Sequence, residues 1–367
     1  MQDRFRSRRN FLGMVAGTPL LWSLESIAAL TEEVEWLDEV QRPSAPLPAD
    51  LDKLPLLLVD HSGRPITAKQ QWKHHRQSIR KWWLDFLQPI PVDRSAPPKL
   101  TILETDRPQN VIRKRLRYEV EPGLWTEAYL LMPADAPKAR PGVLVLHSTV
   151  EQSIFQPAGV EGRAALAFGL KLAQRGFVTF CPRNFLWPDN HQIAAKQEAV
   201  RFHQRRPESK GMAKMLFDAQ VALDILADLP AVDAARLGAV GHSLGAKEVV
   251  YLAALDERVK VTVSSEGGIG TSFSNWDAPW YLGSEIKDPD FVHEHHELLA
   301  LVAPRAFLLI GGDSADGIRS WPYVESALEV YRLYDNRPRL GLLNHGKGHS
   351  VPPLAERRIF EWIQTYL

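Results

Sequence analysis

From about residue 100 to the end of the chain, strand-like and helix-like segments alternate, and this restricts the fold more than any other feature of the sequence. Short apolar runs at 143–146, 178–180, 237–240, 259–263, 306–310 and 340–343 are each followed by a helical pattern, at 162–175, 212–229, 244–255, 293–302, 322–334 and 354–367. Strands that alternate with helices in this way pair in parallel, with the helices as crossovers. The expected fold class is α/β, with a mostly parallel, doubly wound sheet. Two longer runs, 111–120 and 124–132, flank Glu121-Pro122-Gly123, which predicts an antiparallel hairpin leading into that sheet. Residues 31–98 are Pro-rich. Within 68–87, Trp72, Ile79, Trp82, Trp83 and Phe86 recur at roughly helical spacing before Pro89, which reads as a helical N-terminal arm whose Trp residues anchor it to the main domain. The expected organisation is therefore an address at 1–30, an arm at 31–98 and a catalytic domain at 99–367.

The first 30 residues carry a basic region, an apolar stretch from Phe11 to Leu24 and a small-residue cleavage site at Ser26-Ile27-Ala28-Ala29. Ser7-Arg8-Arg9-Asn10-Phe11-Leu12 resembles the twin-arginine export signal, which implies the export machinery as a partner and a periplasmic or secreted location. The alternative is a basic amphipathic helix. Beyond this segment no apolar run reaches 18 residues without a charge, so no membrane partner is expected after signal removal. The 44 Lys and Arg residues are balanced by 44 Asp and Glu, whereas a nucleic-acid binder needs a basic surplus or stripe. The single cysteine, Cys181, excludes an intramolecular disulfide and a multi-Cys metal site.

The chemistry concentrates at Gly241-His242-Ser243-Leu244-Gly245, a G-x-S-x-G set between a buried strand and a helix. A strand–turn–helix of this kind holds the Ser in a strained conformation above the sheet. Side chains two residues to either side would collide, hence glycine at both places. The same turn aims the Leu244 N–H and the helix dipole at a developing oxyanion. Ser243 is the expected nucleophile. Its base is expected after the last strand, in Asn344-His345-Gly346-Lys347-Gly348-His349-Ser350: His349 is the candidate, and His345, closer to the strand end, is read as structural. The acid has three candidates. Asp313 and Asp316 follow strand 306–310, and Asp316 is preferred because Asp313 is suited to bracing the turn. Glu266, at the end of the preceding strand, is the rival, and Asp316→Ala is expected to cost more kcat than Glu266→Ala. A second oxyanion donor is expected from the backbone of Ser148 or Thr149, with His147 structural.

Residues from about 100 to 367 resemble the α/β-hydrolase superfamily, and within it the acetyl xylan esterase and dienelactone hydrolase-like carbohydrate esterases. The segment 241–268 also resembles glucuronoyl esterases, which place a Lys four residues after the nucleophile, here Lys247, and often an acid where Glu266 stands. Those enzymes usually carry Cys and Arg around the Ser, where this chain has His242 and Leu244. The resemblance implies a serine esterase that hydrolyses a small-molecule or oligosaccharide ester through an acyl-enzyme, without cofactor or metal. Lys247, Trp276 and Trp280 are its expected substrate-binding residues, and the connection 183–211, with Trp187 and His191, is a candidate pocket wall. His293-Glu294-His295-His296 lacks the spacing of a metal site and is read as a solvated helix start. Alternatives are a glucuronoyl esterase-like enzyme using Glu266 as acid, a prolyl-oligopeptidase-type peptidase, and a non-catalytic binding protein on the same scaffold.

Overall fold

The computed structural model describes residues 33–51, 53–135, 138–334 and 337–367. The expected export signal lies outside the described residues. The chain after it builds a nine-stranded sheet in the order β1-β2-β3-β5-β4-β6-β7-β8-β9. β1 (Leu100–Asp106), β2 (Val111–Glu121) and β3 (Leu124–Pro133) form an antiparallel meander, and β3 pairs antiparallel with β5 (Val178–Pro182). From β5 onward β4 (Arg140–Leu146), β6 (Val232–His242), β7 (Val259–Ser265), β8 (Ala306–Gly311) and β9 (Leu340–Asn344) run parallel. The hairpin of β2 and β3 turns at Glu121–Leu124, with Gly123 at φ 80°. β1 was not among the expected strands. All seven of its residues are exposed, because it is the sheet's outer edge and no helix covers it.

The strands after the meander are buried along most of their length because each face has its own helical layer. In β8, Phe307 and Leu309 join the core under helices α5 (Gly211–Asp228), α6 (Leu244–Leu255), α7 (His296–Val302) and α8 (Trp321–Arg332). Leu308 and Ile310 point the other way, into the core under α1 (Leu37–Val40), α3 (Phe168–Ala173) and α9 (Pro353–Tyr366). A period of two in a strand thus feeds two cores at once. The N-terminal arm contributes to both. Trp36 donates to Glu361 Oε2 at 2.7 Å against α9. In α2 (Lys69–Leu87), Trp72 and Trp83 are fully buried, and the Trp83 indole donates to Glu297 Oε2 at 2.7 Å.

Three expectations need correcting. The helical patterns at 162–175 and 293–302 shorten to α3 and α7. The long connection after β5 contains a helix of its own, α4 (Ala195–Arg205), with Ala199 and Phe202 packed inward. The 293–296 segment is not solvated: His295 and His296 are fully buried. His295 donates from Nδ1 to Ile269 O at 2.6 Å and accepts from the Tyr251 hydroxyl at 2.8 Å, while His293 stacks on Trp82. Burial holds His295 neutral, its pKa pulled down to about 3. Its neighbours come from the β7–α7 connection and α6, which a local sequence window does not contain.

Candidate active site

β6 delivers the chain straight into the turn at Ser243, which has φ 59° and ψ −116°. This is the left-handed side of the backbone map, where a Ser is strained and persists only if its surroundings hold it. They do so. The Ser243 amide donates to Ser265 O at 2.8 Å, tying the turn to the end of β7, and the Ser243 carbonyl accepts from Ala246 at 3.1 Å to start α6. Both glycines are sterically required. A Cβ on Gly241 would overlap the Gly245 carbonyl, and one on Gly245 would overlap the Leu146 carbonyl oxygen. The second contact seats the first turn of α6 against the end of β4, beside the 147–149 loop.

That loop is fixed by its own bonds. His147 donates from Nδ1 to Ser148 O at 2.8 Å, and its Nε2 accepts the Asn184 amide at 3.1 Å. Burial pulls its pKa down to about 4, so it stays neutral and structural, as expected. Ser148 is buried and Thr149 exposed. The Leu244 amide is the first of α6 and has no acceptor within the helix.

His349 sits in the loop between β9 and α9, pinned to the end of β8 by the amides of His345 and Gly348. These donate to Gly311 O and Gly312 O, both at 2.8 Å. The His349 Nδ1 lies 3.4 Å from Glu266 Oε2, and its ring centroid is 4.9 Å from that of His242. The His242 imidazole contacts Ser265 Oγ through Nδ1 at 3.1 Å; burial first, then the charge of His349, pushes its pKa down to about 3. A neutral ring therefore packs beside the candidate base. Sequence reading passed over His242; its signal was only its place next to the nucleophile.

Glu266, and not the preferred Asp316, is the carboxylate that lies against His349. Glu266, with φ 56°, is fully buried at the end of β7. It accepts the amides of Gly312 and, at 2.7 Å, Ala315, and it is the one that meets His349. Asp316 faces the other way. Its oxygens accept the Gly268 and Ile269 amides at 2.7 and 2.8 Å and the Ser320 hydroxyl at 2.8 Å. Burial raises its pKa against these bonds. Each carboxylate thus braces the other's loop, and Asp316 is spent on holding the backbone two residues beyond Glu266. Asp313 accepts from Ile318 N at 3.1 Å and Asn344 Nδ2 at 2.7 Å, the turn-bracing role foreseen for it. His345 is likewise engaged with its own loop, accepting the Lys347 amide at Nδ1, 3.1 Å.

Of the expected substrate-binding residues, Lys247 and Trp276 are buried. α6 is buried along its whole length, so Lys247 points into the protein. Its Nζ donates to Ser274 Oγ at 2.7 Å and lies 3.8 Å from the centre of the Trp276 ring; burial pulls the ammonium down to about 7. Trp276 is fully buried, and its indole donates to Gly268 O at 2.7 Å. Trp280 is half-buried against the core. Lys247 and Trp276 support the connection that follows Glu266 from beneath. The connection 183–211, by contrast, does line a cavity, through Arg183, Phe185 and Trp187. No group of His, Cys, Asp or Glu suited to a metal ion occurs among the described residues.

A parallel sheet flanked by helices, an elbow at the end of a central strand and a histidine loop after the last strand make up the α/β-hydrolase fold. Residues 126–294 match the model of the Dienelactone hydrolase family. Among solved structures it is similar to a glucuronoyl esterase from Solibacter usitatus, at 17% identity over 87% of this chain and 99% of that one, with a TM-score of 0.69. It is also similar to a glucuronoyl esterase of carbohydrate esterase family 15 from Teredinibacter turnerae, at 18% identity over 90% and 97%, TM-score 0.65. A putative acetyl xylan esterase from Bacteroides fragilis matches at 13% identity over 80% and 79%, TM-score 0.61. At these identities the likeness is one of fold. No curated protein matches the sequence.

Proposed function

We propose that the protein is an exported serine hydrolase of carboxylic esters, with carbohydrate esters as its substrate class. The observation that carries the reading is the contact of His349 with buried Glu266 beside the Ser243 elbow. Ser243 Oγ attacks the ester carbonyl while His349 takes its proton at Nε2. Glu266 accepts from Nδ1, which fixes the tautomer and balances the imidazolium. The amides of Leu244 and of Ser148 or Thr149 hold the oxyanion. His349 returns the proton to the departing alcohol, and water then releases the acid from the acyl-enzyme. The 3.4 Å contact is long for a hydrogen bond, as such contacts often are before substrate binds.

The Glu266–His349 contact also favours one reading within that class, because an acid at the end of β7 is the arrangement associated above with glucuronoyl esterases. The solved structures named as such esterases support a sugar ester in the same way. The experiment has two stages. A fluorophosphonate probe is expected to label Ser243, identified by mass spectrometry, and an unlabelled protein would assign the scaffold to binding alone. Hydrolysis of acetylated xylan oligomers, a methyl glucuronate ester and a plain aryl acetate is then compared by kcat/KM. A tenfold or greater preference for one of the sugar esters over the aryl acetate is expected. Equal rates on all three would remove the carbohydrate assignment and leave a general esterase.

Export is proposed on Arg8 and Arg9 alone. Replacing both with Lys is expected to leave unprocessed protein in the cytoplasm, read by fractionation and immunoblotting. Normal export of the double variant would refute the twin-arginine address.

A further inference from the structure

A cavity of about 310 Å³ opens at the carboxyl end of β5, between the β2–β3 hairpin and the helices α4 and α5. Its size falls within the range of small-molecule sites. Half-buried Trp125 and Phe185 supply aromatic wall, with Trp187 buried behind them; Arg183, Arg201, Arg205 and Lys214 supply positive charge.

Much of that charge is already matched. Arg201 pairs with Glu198 at 2.5 Å. The fully buried Lys214 lies 2.5 Å from Asp218 and 2.9 Å from Glu121, so it is answered by two carboxylates. Burial pushes Asp218 up to about 6, against the pull of the Lys214 ammonium beside it. Arg183 and Arg205 are different. Neither has a carboxylate within 4 Å among the described residues, and the Arg183 guanidinium meets only Asn190 Oδ1, at 3.3 Å. Glu127, the nearest candidate for Arg183, is instead bonded by Asn190 Nδ2 at 2.7 Å and faces Arg115 at 3.7 Å. The half-buried Arg183 guanidinium recovers little of its desolvation from Asn190 and from the more distant Glu127 and Asp189, so the cavity favours a further negative charge.

The cavity shares a wall with the candidate active site. Trp187 donates from Nε1 to Val150 O at 3.0 Å and meets His147 edge-on at 4.6 Å, and His147 begins the loop proposed to hold the oxyanion. Resting on that esterase reading, we propose that the cavity is a subsite for a uronate ring: a sugar carrying a free carboxylate, separate from the ester that is cleaved. A planar guanidinium binds a carboxylate through two parallel N–H donors, and indole and phenyl faces stack on a sugar ring. Arg183 and Arg205 take the carboxylate, and the aromatic wall takes the ring.

Calorimetry on the Ser243→Ala protein tests this without any turnover, using sodium glucuronate, glucose and sodium benzoate as probes. Glucuronate is expected to bind at least tenfold more tightly than glucose, and Arg183→Gln and Arg205→Gln are each expected to weaken it tenfold or more. Arg205 lies on the exposed face of α4, so its variant reports even if Arg183→Gln does not fold. No glucuronate binding, or binding indifferent to Arg205→Gln, would overturn the subsite. Benzoate binding more tightly than glucuronate would assign the cavity to an aromatic acid instead. Because the readout is binding, a positive result stands even if the wild-type protein hydrolyses no ester. Esterase activity with no uronate binding removes the subsite alone.

Discussion

Ser243→Ala is expected to lower hydrolysis of a short acyl ester by roughly a thousandfold or more, and His349→Ala by a similar factor. The elbow leaves no substitute nucleophile: Ser265, the neighbouring hydroxyl, is fully buried and tied to His242 Nδ1 at 3.1 Å. Nor is there a substitute base. His242 is held neutral with its pKa near 3, and His345 is bound to its own loop. The double variant should lose little beyond either single one, since residues that act as a unit are not additive. Initial rates on a short-chain aryl ester measure this, with thermal melting to show that the variants are folded. Near-wild-type rates in a folded Ser243→Ala protein would end the mechanism.

The second large effect separates the two carboxylates. Glu266→Gln keeps the shape but removes the charge that faces His349 and allows the wrong tautomer, so kcat should fall by roughly 10³–10⁴-fold. The Asp316 side chain makes no hydrogen bond to the proposed triad; only its backbone amide reaches Glu266, and Asp316→Asn leaves that amide in place. It sets an amide NH₂ against the backbone N–H of Gly268 or Ile269, so it should lower the melting temperature and reduce kcat far less. The comparison uses kcat and melting curves for both variants on the same ester. A larger kcat loss in Asp316→Asn, at equal stability, would return the acid to the end of β8 and overturn the assignment of Glu266.

Much of this architecture was legible in the residues. β8 could be recognised because Ala306–Gly311 is apolar at every position, which only burial on both faces explains. The elbow could be recognised because two glycines flank Ser243 at positions where a side chain has no room, a constraint that acts within five residues. The Trp residues of α2 announced a docking face in the same local way. Two elements escaped. The edge strand β1 has no buried face to leave a pattern, and α4 lies in a polar segment whose apolar stripe rests on Ala199 and Phe202.

The sequence by itself therefore determined the alternating fold, the strained Ser243 and the His349 loop, since each rests on periodicity or sterics confined to one segment. Only the tertiary structure decided which carboxylate reaches His349 and where Lys247 and Trp276 point. Glu266 and Asp316 stand at the ends of adjacent strands with similar local surroundings, and their roles part only because β7 and β8 lie side by side and exchange backbone amides. Lys247 looked exposed to substrate because it follows the nucleophile by one helical turn. The β7–α7 connection folds Trp276 and Ser274 over it, and that closure depends on residues far along the chain.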